Sequence, residues 1–80
     1  MSEIWKPQPD TFEQVALPDG SRAKLTIKTW NLFVTELAGN EVGPITTKQE
    51  FYLGSTPVNE REDGRLETVE MVPRILTRAP

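Results

Sequence analysis

Between Arg22 and Leu37 the chain alternates apolar and polar residues with the period of a half-buried strand. Ala23, Leu25 and Ile27 take one side, and Arg22, Lys24, Thr26 and Lys28 take the other. The parity then changes, because Trp30, Leu32 and Val34 are apolar at even positions. One extra residue re-aims every side chain after it, so a bulge or tight turn is expected at 29–31. The other expectation is that residues 30–37 are covered on both faces.

A second alternating run follows. Ile45, Thr47, Gln49, Phe51 and Leu53 oppose Thr46, Lys48, Glu50 and Tyr52, with β-branched and aromatic residues that suit a pleated surface. Turn signals divide the rest. Pro18-Asp19-Gly20-Ser21 predicts a hairpin joining strands 12–17 and 22–28, since proline presets its own φ and glycine supplies a positive one. Residues 38–44 read as a loop and 54–57 as a turn. Asp63-Gly64 predicts a two-residue hairpin loop that places Glu62 opposite Arg65, Arg61 opposite Leu66 and Glu60 opposite Glu67. Leu66, Val69, Val72 and Ile75 are spaced by three, as in a helix. The β-branched Thr68, Val69 and Val72 and the breaker Pro73 favour a strand over 65–72. A last strand over 74–78 is expected at a sheet edge because Pro73 precedes it.

The first eleven residues differ. Pro7 and Pro9 alternate with polar residues, which predicts an extended, polyproline-like arm with no ladder of its own. Ile4 and Trp5 are its apolar residues, and Trp5 either folds back over the core or anchors a partner. The fold expected is therefore all-β: a small antiparallel barrel or sandwich of five to six short strands over 12–80, carrying an extended arm over 1–11.

Composition narrows the chemistry. Eighty residues make one domain that buries roughly 60 to 65% of its unfolded surface, a thin margin to which any interface would add. The chain has no cysteine and no histidine. That removes disulfides, zinc ribbons, thiol nucleophiles, the commonest general base and the commonest transition-metal ligand. No phosphate-cradling glycine loop, dinucleotide fingerprint or nucleophile elbow occurs. Carboxylates are grouped at Glu60, Glu62 and Asp63 and at Glu67 and Glu70, but Arg61 and Arg65 are mixed among them and no calcium-loop spacing is present. We read them as a solvated hairpin tip, and expect no enzyme, no cofactor and no metal. No apolar run approaches a membrane span and no signal-peptide core opens the chain, so a cytoplasmic setting is expected.

Binding remains. The preferred reading is a protein-interaction or assembly module, working through strand edges and the N-terminal arm, either with itself as a homo-oligomer or as an accessory component of a phage or bacterial assembly. Its candidate contact residues are Ile4, Trp5 and Pro7 in the arm and Glu60, Glu62 and Asp63 in the acidic hairpin. Those three acids also suit an inhibitor that covers a basic nucleic-acid-binding surface. A different reading assigns Arg22, Lys24, Lys28 and Trp30 to a platform for single-stranded nucleic acid, with cations tracking phosphates and the indole stacking on a base. Nucleic acid is the weaker partner, because a net charge of -3 repels a polyanion at long range.

Overall fold

The computed structural model describes residues 2–78, which form seven strands and no helix. They are β1 (Ser2–Pro7), β2 (Thr11–Ala16), β3 (Arg22–Thr35), β4 (Glu41–Leu53), β5 (Thr56–Glu60), β6 (Leu66–Thr68) and β7 (Ile75–Arg78). Every pairing is antiparallel, in the order β1-β3-β2-β7-β6-β5-β4, and a direct β3–β4 ladder closes the last six strands into a barrel. Among the described residues no helix is long and apolar enough to cross a membrane.

The barrel is small because its ladders are short. β2 runs against residues 22–27 of β3, and β5 meets β4 only from Phe51 to Leu53. Odd positions of β3 point inward over this stretch, where Leu25 lies opposite Leu53 and Ile27 opposite Phe51. Val15, Leu25, Ile27, Val58, Leu66 and Leu76 make the buried core, with Leu17, Ala23, Phe51 and Leu53 packed against it. Thr68 is the one buried polar residue among those described, and its hydroxyl donates to Glu70 (2.5 Å) and accepts from the Arg74 N–H (2.8 Å). Both of its hydrogen-bonding roles are thus filled, as burial requires.

Three hairpins turn in the same way. In each of 17–21, 36–40 and 61–65 the first N–H donates to the fifth carbonyl and the fourth N–H donates back to the first carbonyl. The fourth residue is Gly20, Gly39 or Gly64, with φ of 89°, 86° and 84°. This is the three-residue hairpin loop that needs glycine in the left-handed region. At Asp63-Gly64 it replaces the expected two-residue loop, so Glu60 faces Leu66 and Asn59 faces Glu67. The apposition of Glu60 and Glu67, which would repel, does not occur.

Other expectations are corrected by the same ladders. Residues 2–7 are extended as expected, but they have a ladder: β1 pairs with residues 30–35 of β3. The predicted loop over 38–44 shrinks to the turn at 36–40, and β4 starts at Glu41, with a register irregularity between the Leu32 and Val34 pairs and a cis Gly43–Pro44 bond. Strand 65–72 shortens to Leu66–Thr68, followed by a loop in which Arg74 bridges Glu70 at 2.8 Å. β7 lies between β2 and β6 and is not an edge, since Pro73 falls outside the ladder.

Candidate interaction surface

β3 has 14 residues and β4 has 13, and the barrel uses only residues 22–27 of the first and 51–53 of the second. Beyond Ile27 and Phe51 the two strands leave the barrel together, and β1 takes the place beside β3 that β2 has vacated. The result is a three-stranded wing, β1-β3-β4, roughly 25 Å long at the usual strand rise. It stretches the molecule to 55 × 23 × 23 Å, with a radius of gyration of 16.2 Å. A compact chain of this length has a radius of about 11.6 Å.

The wing explains the parity change in the sequence. β3 contains no bulge over 22–35, and odd and even positions keep their sides throughout. What changes is the environment: odd residues face the core up to Ile27, and past it no further layer lies over either side. Neither the expected corner at 29–31 nor a doubly covered strand occurs. Trp30, Leu32 and Val34 share a face with Arg22, Lys24 and Lys28.

That even-numbered face is built of aromatic and cationic pairs. Trp5 lies on it through its pairing with Leu32, and Lys48 through its pairing with Trp30. The Lys48 ammonium sits 4.9 Å from the Trp5 ring centre and 5.3 Å from that of Trp30. Lys24 lies 4.4 Å from Phe12, and Lys28 lies 5.9 Å from Tyr52. All four are within cation–π range. The Tyr52 hydroxyl donates to Glu50 at 3.0 Å, and this bond holds the phenol above its usual pKa. Toward the wing tip the face is aliphatic, with Leu32, Val34 and Val42.

The odd-numbered face mixes Ile4, Phe33 and Ile45 with polar cross-strand pairs. Thr47 donates to Asn31 at 2.7 Å and Gln49 to Thr29 at 3.4 Å. Lys6 forms an ion pair with Glu41 and lies 4.9 Å from the Phe33 ring. Ile4 is 48% exposed, Trp5 38% and Ile45 54%. Two strand edges are also unpartnered among the described residues, the outer edge of β1 and that of β4 over 41–50.

The sequence candidates separate on this framework. Ile4, Trp5 and Pro7 all fall in β1, on the wing, and Trp5 does not fold back over the barrel core. Glu60, Glu62 and Asp63 lie elsewhere, and two of the three are engaged in the fold. Glu60 accepts from Arg78 at 2.9 Å; Asp63 accepts from the Arg65 N–H at 3.0 Å, which lowers its pKa. Arg78 also takes Glu13 at 2.9 Å and lies 5.6 Å from the Phe51 ring, so it closes the barrel end from which the wing emerges. The acidic hairpin read from sequence is therefore partly neutralised by Arg61 and Arg78.

Arg22, Lys24, Lys28 and Trp30 do share one face, as a nucleic-acid platform requires. Yet Arg22 donates to Gln14 at 3.0 Å, Glu50 lies opposite Lys28, and a lysine already covers Trp30. Lys48 and Val42 were not singled out from sequence as contact residues, because only the β3–β4 register brings them onto the face of Trp5 and Trp30; nor were Phe33 and Ile45, which lie on the opposite face. The surface grooves, of about 400, 430 and 510 Å³, are open, and no described group of three or more acids could hold a metal ion. No protein-family model, curated protein or solved structure matches the chain.

Proposed function

We propose that the protein is a non-catalytic interaction or assembly module whose wing is completed by another protein chain. The observation that carries this reading is the uncovered wing. A folded monomer of 9.0 kDa exposes about 4,850 Å² by the usual scaling with mass, and this chain exposes 5689 Å². The surplus, roughly 840 Å², is close to the ~800 Å² that one partner contributes to an interface of standard size. Of the exposed large apolar residues, Ile4, Trp5, Val42 and Ile45 lie on the wing and Leu37 in the turn at its tip, with Phe12, Val69, Met71 and Val72 on the barrel; the wing's two edges also offer free backbone groups for strand addition.

A cytoplasmic setting belongs to the same proposal and suits a chain with no cysteine to oxidise. The test is affinity capture from the native host with identification by mass spectrometry, alongside light scattering for self-association. Wild type is compared with Ile4→Lys and Ile45→Lys, one on each open edge strand of the wing, and with Asn59→Lys on the barrel. Association lost in either wing variant and kept in the third supports the reading. Association insensitive to both wing changes rules it out.

A further inference from the structure

Taking the wing as the interaction surface, we propose that its partner is a second copy of this chain, added antiparallel along the outer edge of β1 with Ile4 opposite Ile4 across a two-fold axis. The choice of edge follows from what each offers. β4's outer edge carries Pro44, which has no N–H, a register irregularity beside it, and the charged Lys48. These are the devices that blunt an edge against strand addition. β1 has no register irregularity and carries its proline, Pro7, at its end; its charges are Glu3 and Lys6, of opposite sign.

The choice of occupant follows from register. With a two-fold axis normal to the sheet, residues of equal parity must face each other. Centred on Ile4, the ladder sets Glu3 opposite Trp5 and Ser2 opposite Lys6 of the second copy. No like charges meet, the exposed isoleucines meet at the axis, and the pairing from Ser2 to Lys6 is complete without Pro7. Centring on Trp5 would instead set Lys6 against Ile4 and bring Pro7 into the pairing. A head-to-tail joint of β1 onto β4 that continues the same face of the sheet would have to be parallel, since both run antiparallel to β3, and parallel pairing is the weaker kind. The dimer would carry one six-stranded sheet, β4-β3-β1-β1-β3-β4. Two-fold closure is also the commonest oligomeric symmetry.

The test uses the full chain. Opposed residues in an antiparallel pair have Cα atoms about 4.5 to 5.5 Å apart, within disulfide reach. Ile4→Cys should therefore form a covalent dimer on mild oxidation, whereas Ile45→Cys, exposed on the other edge, should stay monomeric. Sedimentation of Ile4→Lys should show dimerisation weakened by roughly tenfold or more, because like charges then oppose across the axis. Ile4→Glu alone should be weakened too, and mixing it with Ile4→Lys should restore a heterodimer. Far-UV circular dichroism checks that each variant keeps its fold. Failure of Ile4→Cys to cross-link, cross-linking at Ile45 instead, or no rescue on mixing overturns the proposal. A monomer whose wing still captures a different protein overturns self-docking alone. The absence of any wing-dependent capture overturns the proposed function as well.

Discussion

Truncating Leu76 and truncating Leu32 should have very different costs, although both are leucines in strands. Leu76 is fully buried and lies opposite the equally buried Leu66. Leu76→Ala leaves a cavity in a core of only six buried hydrophobic residues, and such changes cost about 2 to 5 kcal/mol. A domain of 80 residues has about 4 to 12 kcal/mol of stability in total, so this one substitution removes a large share of it. At about 4 to 8 °C per kcal/mol, the melting temperature should drop by roughly 10 °C or more. Leu32 is half-buried on the wing, with β-ladder neighbours but no second layer over it. At ~25 cal/mol per Å² its truncation should cost about 1 kcal/mol or less. Urea unfolding followed by circular dichroism reads the whole chain, while tryptophan fluorescence reads the wing alone, because Trp5 and Trp30 are the only tryptophans. Equal losses for the two variants would mean that the wing belongs to the cooperative core, and the division into barrel and wing would be wrong.

Acid should unfold the barrel through particular carboxylates. Glu70 is held below its ordinary value of 4.5 first by Arg74 and then by Thr68; Asp19 is lowered by Ser21, and Asp63 by the Arg65 N–H. A carboxylate whose folded pKa is depressed adds stability above its unfolded value and loses it as pH falls through the folded one. Melting temperature should thus be flat near neutrality and fall below about pH 4.5, less steeply in Glu70→Gln; a decline beginning near neutrality would contradict the assignment. At Gly43 (φ 156°) a Cβ would lie 2.7 Å from the Phe33 ring and 2.9 Å from the Leu32 carbonyl oxygen. Gly43→Ala should disturb the wing, seen as a changed tryptophan spectrum, with little change in the barrel's dichroism; an unaltered spectrum would count against that packing. A fluorescent single-stranded oligonucleotide should give flat anisotropy at physiological salt, because lysines cover the rings and Glu50 interrupts the cations. Saturable binding that weakens as salt rises would restore the nucleic-acid reading.

Strand content was legible because it is written locally. The period-two runs at 22–28 and 45–53 and the glycine turns at Gly20 and Gly64 reflect steric preferences of a few neighbouring residues. The wing was not legible, because it depends on which strand ends first. The sequence marks the place, with Trp30, Leu32 and Val34 breaking parity, but a bulge and a change of environment leave the same trace. Ladder length decides between them, and that is set by β2 stopping at Thr11 and β1 continuing from Pro7. Ile4, Trp5 and Pro7 could be singled out because apolar residues stand out in a proline-containing stretch. Lys48 could not, since its role depends on a register shared by three strands. The acids at Glu60 and Asp63 looked available in sequence, and Arg78 and the Arg65 N–H take them up in the fold.

Hydrogen–deuterium exchange on the associated form, whether the dimer or a captured complex, tests the central claim most directly. In the free chain the outer-edge amides of β1 and of residues 41–50 should exchange fast, and those of the barrel strands around Leu25, Leu66 and Leu76 slowly. On association, protection should rise in the wing, with the barrel unchanged. Protection gained on the barrel, with the wing still exchanging freely, would contradict the account.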